Sequence, residues 1–360
     1  MDRDLASDTS SPASAAPSDP TAAAPGPPVS GPGSWAHPGH EVAPGVALGG
    51  MVPPDALLTD PLPAGRLLAG AKPIPEFRVE LRRIPNLRNA ANVASVWIQS
   101  FGVIALAIWI NHPVAWIVAF FLVGRSFALF AILAHEAAHR LLFSKKSVND
   151  WVGRWLLGYP AFIPTDQYRR GHMAHHREEF GPREPDLMLY ANYPVTRASL
   201  RRKLARDAGF VSGWKNLRPL LAAVTRRDSR GVALKILAVQ VIIAAVLTAF
   251  GAWWVYPVMW LAPWLTVWRV INRLRSIAEH GGMEGSTDRR RTTHHVRQSL
   301  WARFWMVPFN TGWHLAHHVD AGVPFQHLPA LHRELEVTGW VTPAITYPNY
   351  RTLWRALSSQ

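Results

Sequence analysis

Histidines are the residues of this chain whose spacing most directly indicates chemistry. Sixteen are present, and eight of them form three short groups whose members lie three or four positions apart or side by side. Positions three or four apart share one face of an α-helix. Imidazoles brought together in this way can exchange protons or bind metal ions. The groups are His135 and His139; His172, His175 and His176; and His314, His317 and His318.

The first group lies within "AHEAAHR", an H-E-x-x-H pattern that is typical of zinc peptidases. A catalytic zinc ion takes three protein ligands and keeps one position open. The three groups and His280 supply nine imidazoles, enough for two metal ions with four or five ligands each. Imidazole suits iron, copper and zinc. We therefore predict a two-metal site held by these nine histidines, with no catalytic residue beyond the metal ligands and no residue that binds an organic cofactor.

The composition is basic and strongly apolar at once. The 360 residues carry a net charge of +14, yet 49% are hydrophobic, 17 are Trp and none is Cys. The lack of Cys excludes disulfides, iron–sulfur clusters and thiol catalysis. A basic chain could bind nucleic acid or a membrane, but the apolar residues gather in two uncharged blocks, between Arg88 and Arg125 and from Ile236 to Trp268. This distribution favours a membrane and excludes a nucleic-acid partner.

Each uncharged block is too long for a single crossing, because a helix rises about 1.5 Å per residue and the bilayer core is about 30 Å thick. Asn111-His112-Pro113 interrupts the first block, and the turn that ends at Pro257 interrupts the second. We predict an all-α integral membrane protein with four transmembrane helices in two hairpins. The predicted spans are about 92–110, 113–139, 234–252 and 256–275.

Basic residues predict the orientation of these spans. The segment from Arg140 to Arg230 contains 18 Lys and Arg, whereas the two hairpin turns contain none. The positive-inside rule places this loop and both termini in the cytoplasm. The second and fourth spans then end at the cytosolic face, under a helical cap that holds the histidines. Two basic amphipathic segments of the loop, 196–210 and 213–227, are predicted to lie on the membrane surface.

The start of the chain differs in composition from the rest. Residues 1–50 contain nine prolines and are rich in Ala, Ser and Gly. Such a segment cannot bury a core. We predict a disordered tail over 1–65 and one membrane domain over 66–360.

Several polar residues outside the three groups are given simpler interpretations. His294 and His295 lie in a basic stretch and are predicted to be solvated, whereas His332 is predicted to pack or to lie on the surface. Arg125, a charge within the second span, faces either the helix bundle or a lipid head group.

The three histidine groups, their order and the two predicted hairpins resemble the membrane fatty acid desaturase family, over about Glu76 to Arg355. The resemblance implies four transmembrane helices under a cytosolic cap, a di-iron centre held by the nine histidines, and an acyl chain in a narrow tunnel. Some members add an Asn four residues before the separate histidine, where this chain has Ser276. Asp186, in "EPDL", and Glu136 are interpreted as partners of ligating imidazoles or, for Asp186, as part of a fixed loop.

The function implied by the resemblance is an oxygen-dependent oxidoreductase that introduces a double bond into a fatty acyl chain or related lipid. Its cofactors are two iron ions, with O2 as co-substrate. The sequence contains no Rossmann fingerprint, flavin motif or haem domain. Electrons are therefore expected from a separate ferredoxin, rubredoxin or cytochrome b type carrier with its reductase. The expected location is a bacterial inner membrane.

Three other functions remain open from the sequence. A hydroxylase or ketolase acting on a lipid, alkane or carotenoid would share the histidine groups. A membrane zinc peptidase would need the first group but not the second and third. A metal-binding membrane protein without enzymatic activity would leave lipid composition unchanged.

Overall fold

The computed structural model describes residues 46–181 and 184–359. The α-helices are α1 (Pro75–Leu81), α2 (Asn86–Ile110), α3 (Pro113–Ala138), α4 (Lys146–Val152), α5 (Thr165–Arg177), α6 (Leu187–Tyr190), α7 (Arg197–Ala208), α8 (Val211–Ala223), α9 (Arg230–Phe250), α10 (Ala262–Leu265), α11 (Val267–His280), α12 (Arg289–Thr292), α13 (Leu300–Trp305), α14 (His314–Val319), α15 (Leu328–Val337) and α16 (Tyr350–Ala356). Two π-helices span Gly153–Gly158 and Pro257–Leu261. Short 3-10 helices span Asp55–Leu57, Ala69–Ala71, Tyr159–Ala161 and Pro343–Ile345. Strands β1 (His295–Val296) and β2 (Thr346–Tyr347) pair in parallel, His295 opposite Thr346.

Three helices in the described residues, α2, α3 and α9, are long and apolar enough to cross a membrane. They correspond to the first three predicted spans, although α2 and α9 begin several residues earlier than predicted. The turn between α2 and α3 forms at the predicted break. Asn111 takes the left-handed conformation with φ of 44°, and Pro113 begins α3 without the backbone N–H that a helix start leaves unpaired.

The fourth predicted span is not one uninterrupted helix. The π-helix Pro257–Leu261, α10 and α11 follow one another, and Thr266 between the last two is non-helical, with φ of −125° and ψ of −81°. Arg269 is buried, and its Nε donates to the Trp264 carbonyl at 3.0 Å. A guanidinium thus binds a carbonyl at the break, which apolar side chains could not do. The segment of the predicted fourth span, 256–275, is therefore broken at Thr266.

Helix α3 lies at the centre of the fold. It packs against α2, α5, α11 and the π-helix Gly153–Gly158, and its second half is entirely buried. Trp260 is fully buried where α2, α3 and the second π-helix meet, with its ring edge-on to Phe127 at 5.1 Å and to Phe130 at 5.9 Å. Such contacts between aromatic edges and faces are favourable. They fix the last turns of α3 relative to the broken fourth segment.

The two basic amphipathic segments form α7 and α8. Helix α8 buries Gly213, Leu217 and Leu220 and leaves Trp214 half exposed. A Cβ atom added to Gly213 would lie 2.2 Å from the Leu265 carbonyl oxygen, so glycine permits close contact with the broken segment.

The segment 46–65 contacts the chain that follows α11. Gly49 N–H donates to the Met283 carbonyl at 3.1 Å, and Met51 N–H donates to the Gly282 carbonyl at 2.8 Å. The Arg290 guanidinium donates to two carbonyls of the same segment. Residues 46–65 of the predicted tail therefore pack against the rest of the chain, and residues 1–45 lie outside the described residues.

Candidate metal centre

The nine predicted histidines come together at one end of α3, although they are 183 positions apart at their extremes. Helix α3 contributes His135, with His139 at its C-cap, and α5 contributes His172, His175 and His176. His280 is the last residue of α11, and α14 contributes His314, His317 and His318. Seven of the nine are buried, and His139 and His176 are partly exposed. Helical spacing within each group points its imidazoles in a common direction.

In space the nine histidines divide into two groups that differ from the three sequence groups, and from here on 'first group' and 'second group' mean these two. In the first group, one ligand atom from each residue lies within 4.8 Å of the others: His135, His139, His172, His176 and His317. The Nε2 atoms of four of them, His139, His172, His176 and His317, face one another. The Nε2 of His172 lies 2.8 Å from that of His139 and 3.1 Å from that of His176, and the Nε2 atoms of His176 and His317 are 3.1 Å apart.

The other four form the second group: His175, His280, His314 and His318. Ligand atoms of His175, His280 and His318 lie within 4.8 Å of one another. The Nε2 of His314 is 3.0 Å from the Nε2 of His280 and 3.0 Å from that of His318. The two groups meet where the rings of His176 and His318 lie 4.5 Å apart. The arrangement is therefore a five-plus-four division of nine adjoining imidazoles.

Hydrogen-bond acceptors lie against the outer nitrogen, Nδ1, of each histidine in the second group. Hydrogen bonds join His175 to Glu184 Oε1 at 2.9 Å, His280 to the Thr292 carbonyl at 2.8 Å, and His318 to Glu179. His314 Nδ1 lies 3.5 Å from Glu279 Oε1, in ion-pair range only. An Nδ1–H that donates outward fixes the ring tautomer and leaves a lone pair on Nε2. The contact of His280 with a carbonyl, which can only accept, assigns this tautomer directly.

When the proton of each ring is on Nδ1, the lone pairs of the Nε2 atoms of His280, His314 and His318 face one another at 3.0 Å without a proton to share. In the first group, neither ring nitrogen of the buried His135 hydrogen bonds to any residue that the structure describes. An unpaired buried imidazole is costly, and a cation bound by the Nε2 atoms would remove that cost. The donor set therefore fits metal ions in both groups.

Burial keeps most of these imidazoles uncharged. It lowers the pKa of His172, His314, His317 and His318 well below the usual value, and the neighbouring imidazoles disfavour a further positive charge. His175 differs: burial lowers its pKa, but the carboxylates of Glu184, Asp186 and Glu179 together raise it to about 9. Neutral imidazole is the form that binds metals. A metal ion on His175 would have to displace its proton.

Of the two carboxylates that the sequence suggested, Asp186 lies beside a predicted ligating imidazole, whereas Glu136 bonds to the backbone. Glu136 accepts a hydrogen bond from the Phe325 N–H at 3.1 Å, so its observed partner is a backbone group in the loop after α14, not an imidazole. Asp186 donates its backbone N–H to Glu184 at 3.1 Å, and its carboxyl lies within 4.8 Å of the ligand atoms of His175 and Glu184. Ser276 donates to the Asn272 carbonyl at 2.8 Å.

Glu179, Glu279 and the Thr292 carbonyl were not predicted, and Glu184 was noted only as part of its motif. Glu179 follows His175 by four positions and Glu279 directly precedes His280, so a search for carboxylates near each histidine would have found both. The Thr292 carbonyl is a backbone group, so no residue type in the sequence indicates its role.

The prediction that His294 and His295 are solvated was wrong, since each is only 6% exposed. The β1–β2 pair and α15 cover them, and His294 Nε2 bonds to the Gly281 carbonyl at 2.7 Å. His332 is buried, in agreement with packing. Arg125 faces the bundle: it donates to Gln99 Oε1 at 2.7 Å and to the Phe304 carbonyl at 2.6 Å.

Comparison with known proteins identifies this arrangement of histidines. Residues 107–339, which contain all nine histidines and more than half of the chain, match the family described as fatty acid desaturase. The chain belongs to the fatty acid desaturase family. It is therefore an oxidoreductase, and its three long apolar helices and this family together indicate a membrane protein.

Curated members of the family are distant in sequence. An sn-1 oleoyl-lipid 12-desaturase of Arthrospira platensis is 23% identical over 258 residues, covering 66% of this chain and 71% of that protein. An enzyme of the same name from Anabaena variabilis is 26% identical over 219 residues, covering 53% and 60%. Dihydrorhizobitoxine desaturase of Bradyrhizobium elkanii is 24% identical over 265 residues, covering 68% and 75%.

A pocket beside the histidines of this desaturase family member is lined mainly by polar side chains, including Tyr168, Arg275 and Glu279. Leu189 is the only aliphatic residue among the described residues of that lining. Its free volume of about 50 Å³ is too small for an acyl chain.

Proposed function

We propose that the chain is an oxygen-dependent di-iron desaturase that introduces a double bond into the acyl chain of a lipid. The observation that carries the proposal is the convergence of nine imidazoles in a five-plus-four arrangement, with inward Nε2 atoms 2.8–3.1 Å apart. Family membership supports the same chemistry. A zinc peptidase would leave most of these nitrogens without a role.

The side chains have separate tasks in this proposal. The first group would hold one iron ion and the second group the other, and the bound iron pair would supply oxygen activation. Glu184, Glu179 and the Thr292 carbonyl hold the rings of His175, His318 and His280 by their outer nitrogens, so the inner nitrogens keep their direction. The carboxylates also offset part of the positive charge of two metal ions.

We further propose that four crossings carry the centre, with the broken segment 257–280 as the fourth. Its 24 residues would measure about 36 Å as a continuous helix, long enough for a bilayer core of about 30 Å. The outward side chains Trp109 and Val241 are among the most exposed apolar residues of α2 and α9, as expected for lipid contact. The histidines and the basic helices α7 and α8 then lie at the cytosolic face of a bacterial inner membrane.

The relatives differ in the substrate that their names give: an oleoyl-lipid for two of them and dihydrorhizobitoxine for the third. We propose an acyl lipid for this chain. Expression in a host without desaturases, together with a competent ferredoxin and reductase, should yield fatty acid methyl esters with two hydrogens fewer than those of the host.

An inactive histidine variant expressed to the same level is the control for that experiment. Incorporation of oxygen from labelled O2 into a hydroxylated product would instead support the hydroxylase alternative. An unchanged lipid profile with a competent electron donor would contradict an acyl-lipid substrate.

The electron donor is proposed to be an acidic carrier protein. The exposed residues Arg201, Arg202 and Arg206 of α7 make this part of the surface basic, and opposite charge accelerates protein association. Turnover at limiting carrier should fall as ionic strength rises from about 0.01 to about 0.15 M, where the screening length shortens from about 30 to about 8 Å. Saturating carrier is the control, and turnover independent of salt at limiting carrier would contradict an electrostatic encounter.

A further inference from the structure

A second histidine cluster lies outside the nine-histidine centre. His295 in β1 and His332 in α15 stack with ring centroids 4.3 Å apart and an interplanar angle of 27°. Glu336 lies one helical turn after His332, and one ligand atom from each of the three residues falls within 4.8 Å of the others. The two imidazoles are buried, whereas the Glu336 side chain is half exposed.

The hydrogen bonds around His295 define its free nitrogen. Its Nδ1 lies 2.9 Å from the Thr346 hydroxyl oxygen, and that hydroxyl donates its own proton to the Thr342 carbonyl at 2.7 Å. A hydroxyl has one proton to donate, so His295 Nδ1 must donate to it. The Nε2 of His295 therefore carries a lone pair.

His332 makes fewer hydrogen bonds than His295. It is only 2% exposed, and neither of its ring nitrogens hydrogen bonds to any residue in the described parts of the chain. Glu336 Oε1 lies 3.4 Å from His332 Nε2 without the alignment of a hydrogen bond. A buried imidazole with two unpaired nitrogens is unfavourable unless something binds it.

Two neutral imidazoles and a carboxylate are a donor set that suits zinc. Burial lowers the pKa of His295 to about 3 and that of His332 to about 4, so both rings are uncharged at pH 7. The three donor atoms lie within 4.8 Å of one another, a separation that lets all three reach one small ion placed between them. The exposed side of Glu336 leaves access from solvent.

We propose that His295, His332 and Glu336 bind one Zn2+ ion, with a water molecule as the fourth ligand. The ion would join β1 to α15, and Thr346 would link β2 to the same site through His295. Bound there, the ion would fasten the C-terminal part of the chain to α15. The Thr292 carbonyl that holds His280 lies three positions before His295 and would be held in place with it.

The test measures bound zinc in the full-length, iron-loaded protein. After equilibration with Zn2+ and removal of free metal, the parent should retain about one more zinc ion per chain than Glu336→Gln or His332→Asn. Because the Glu336 side chain is half exposed, Glu336→Gln should fold even if the buried His332→Asn does not. Iron content should be equal in parent and Glu336→Gln, which separates this site from the nine-histidine centre.

His327→Asn, which removes a nearby histidine outside the cluster, is the matched control and should retain the zinc. Added Zn2+ should raise the melting temperature of the parent and of this control but not that of Glu336→Gln. Equal zinc content in the parent and Glu336→Gln would overturn the proposal and leave the stacked histidines as packing residues.

Discussion

Replacing His176 by alanine is expected to lower desaturation by more than about 100-fold. Removal of a residue that only supports a metal ligand usually costs about 10- to 100-fold, and His176 is placed as a direct ligand. Its Nε2 lies 3.1 Å from the Nε2 atoms of both His172 and His317, and its ring is 4.5 Å from that of His318. Loss of this imidazole should therefore weaken both groups, and iron per chain should fall together with product formation.

Two further variants make this prediction specific. Glu184→Gln keeps the shape of the side chain but removes the charge beside His175, so it should retain iron partly and fall between the parent and His176→Ala in activity. His112→Ala removes an exposed histidine from the turn between α2 and α3 and should leave iron content and turnover unchanged. Full activity of His176→Ala would support a single-metal enzyme, such as the zinc peptidase alternative.

Gly213→Ala is expected to destabilise the protein by about 2–3 kcal/mol, at the upper end of the usual cost of overpacking. The added methyl carbon would lie 2.2 Å from the Leu265 carbonyl oxygen and 2.7 Å from the Leu265 Cα. Both are backbone atoms next to the break at Thr266, so they cannot move aside as a flexible side chain could. The apparent melting temperature in detergent should fall, and α8 should become more accessible to protease.

Gly231→Ala provides a matched control for this substitution. Gly231 is also helical, near the start of α9, but beyond its chain neighbours and its own helix backbone no described atom lies within 4 Å of its added Cβ. Alanine is favoured over glycine in a helix by about 1 kcal/mol, so Gly231→Ala should leave the melting temperature unchanged or raise it. A similar fall in both variants would show that lost glycine flexibility, not contact with Leu265, is responsible.

Local spacing explains why the nine histidines could be predicted to meet. His135 and His139 share a helix face by periodicity alone, and the two apolar blocks bring α3 and α11 to the same end of the molecule. The three long apolar helices were predictable because length and hydropathy are local properties of sequence. Function followed from these patterns only through the resemblance to a family.

The remaining features depend on contacts between distant residues. The break at Thr266 is accompanied by Arg269 binding to the Trp264 carbonyl, and a hydropathy pattern does not reveal such a bond. The basic neighbours of His295 led to the prediction that it is solvated. It is buried instead, and its strand pairs with Thr346, 51 positions later. Glu136 was interpreted through its motif, whereas its partner, the Phe325 N–H, lies 189 positions away.

The bonds of Arg125 have a consequence for biosynthesis. Arg125 lies in the middle of α3, and one of its two partners, the Phe304 carbonyl, is 179 positions further along the chain. A ribosome therefore delivers α3 to the membrane long before the group that completes its hydrogen bonding exists. An arginine at a helix centre costs about 2.5–3.5 kcal/mol to insert. Gln99, already synthesised in α2, is available at once, so the first hairpin enters the bilayer carrying its own partial compensation for the charge.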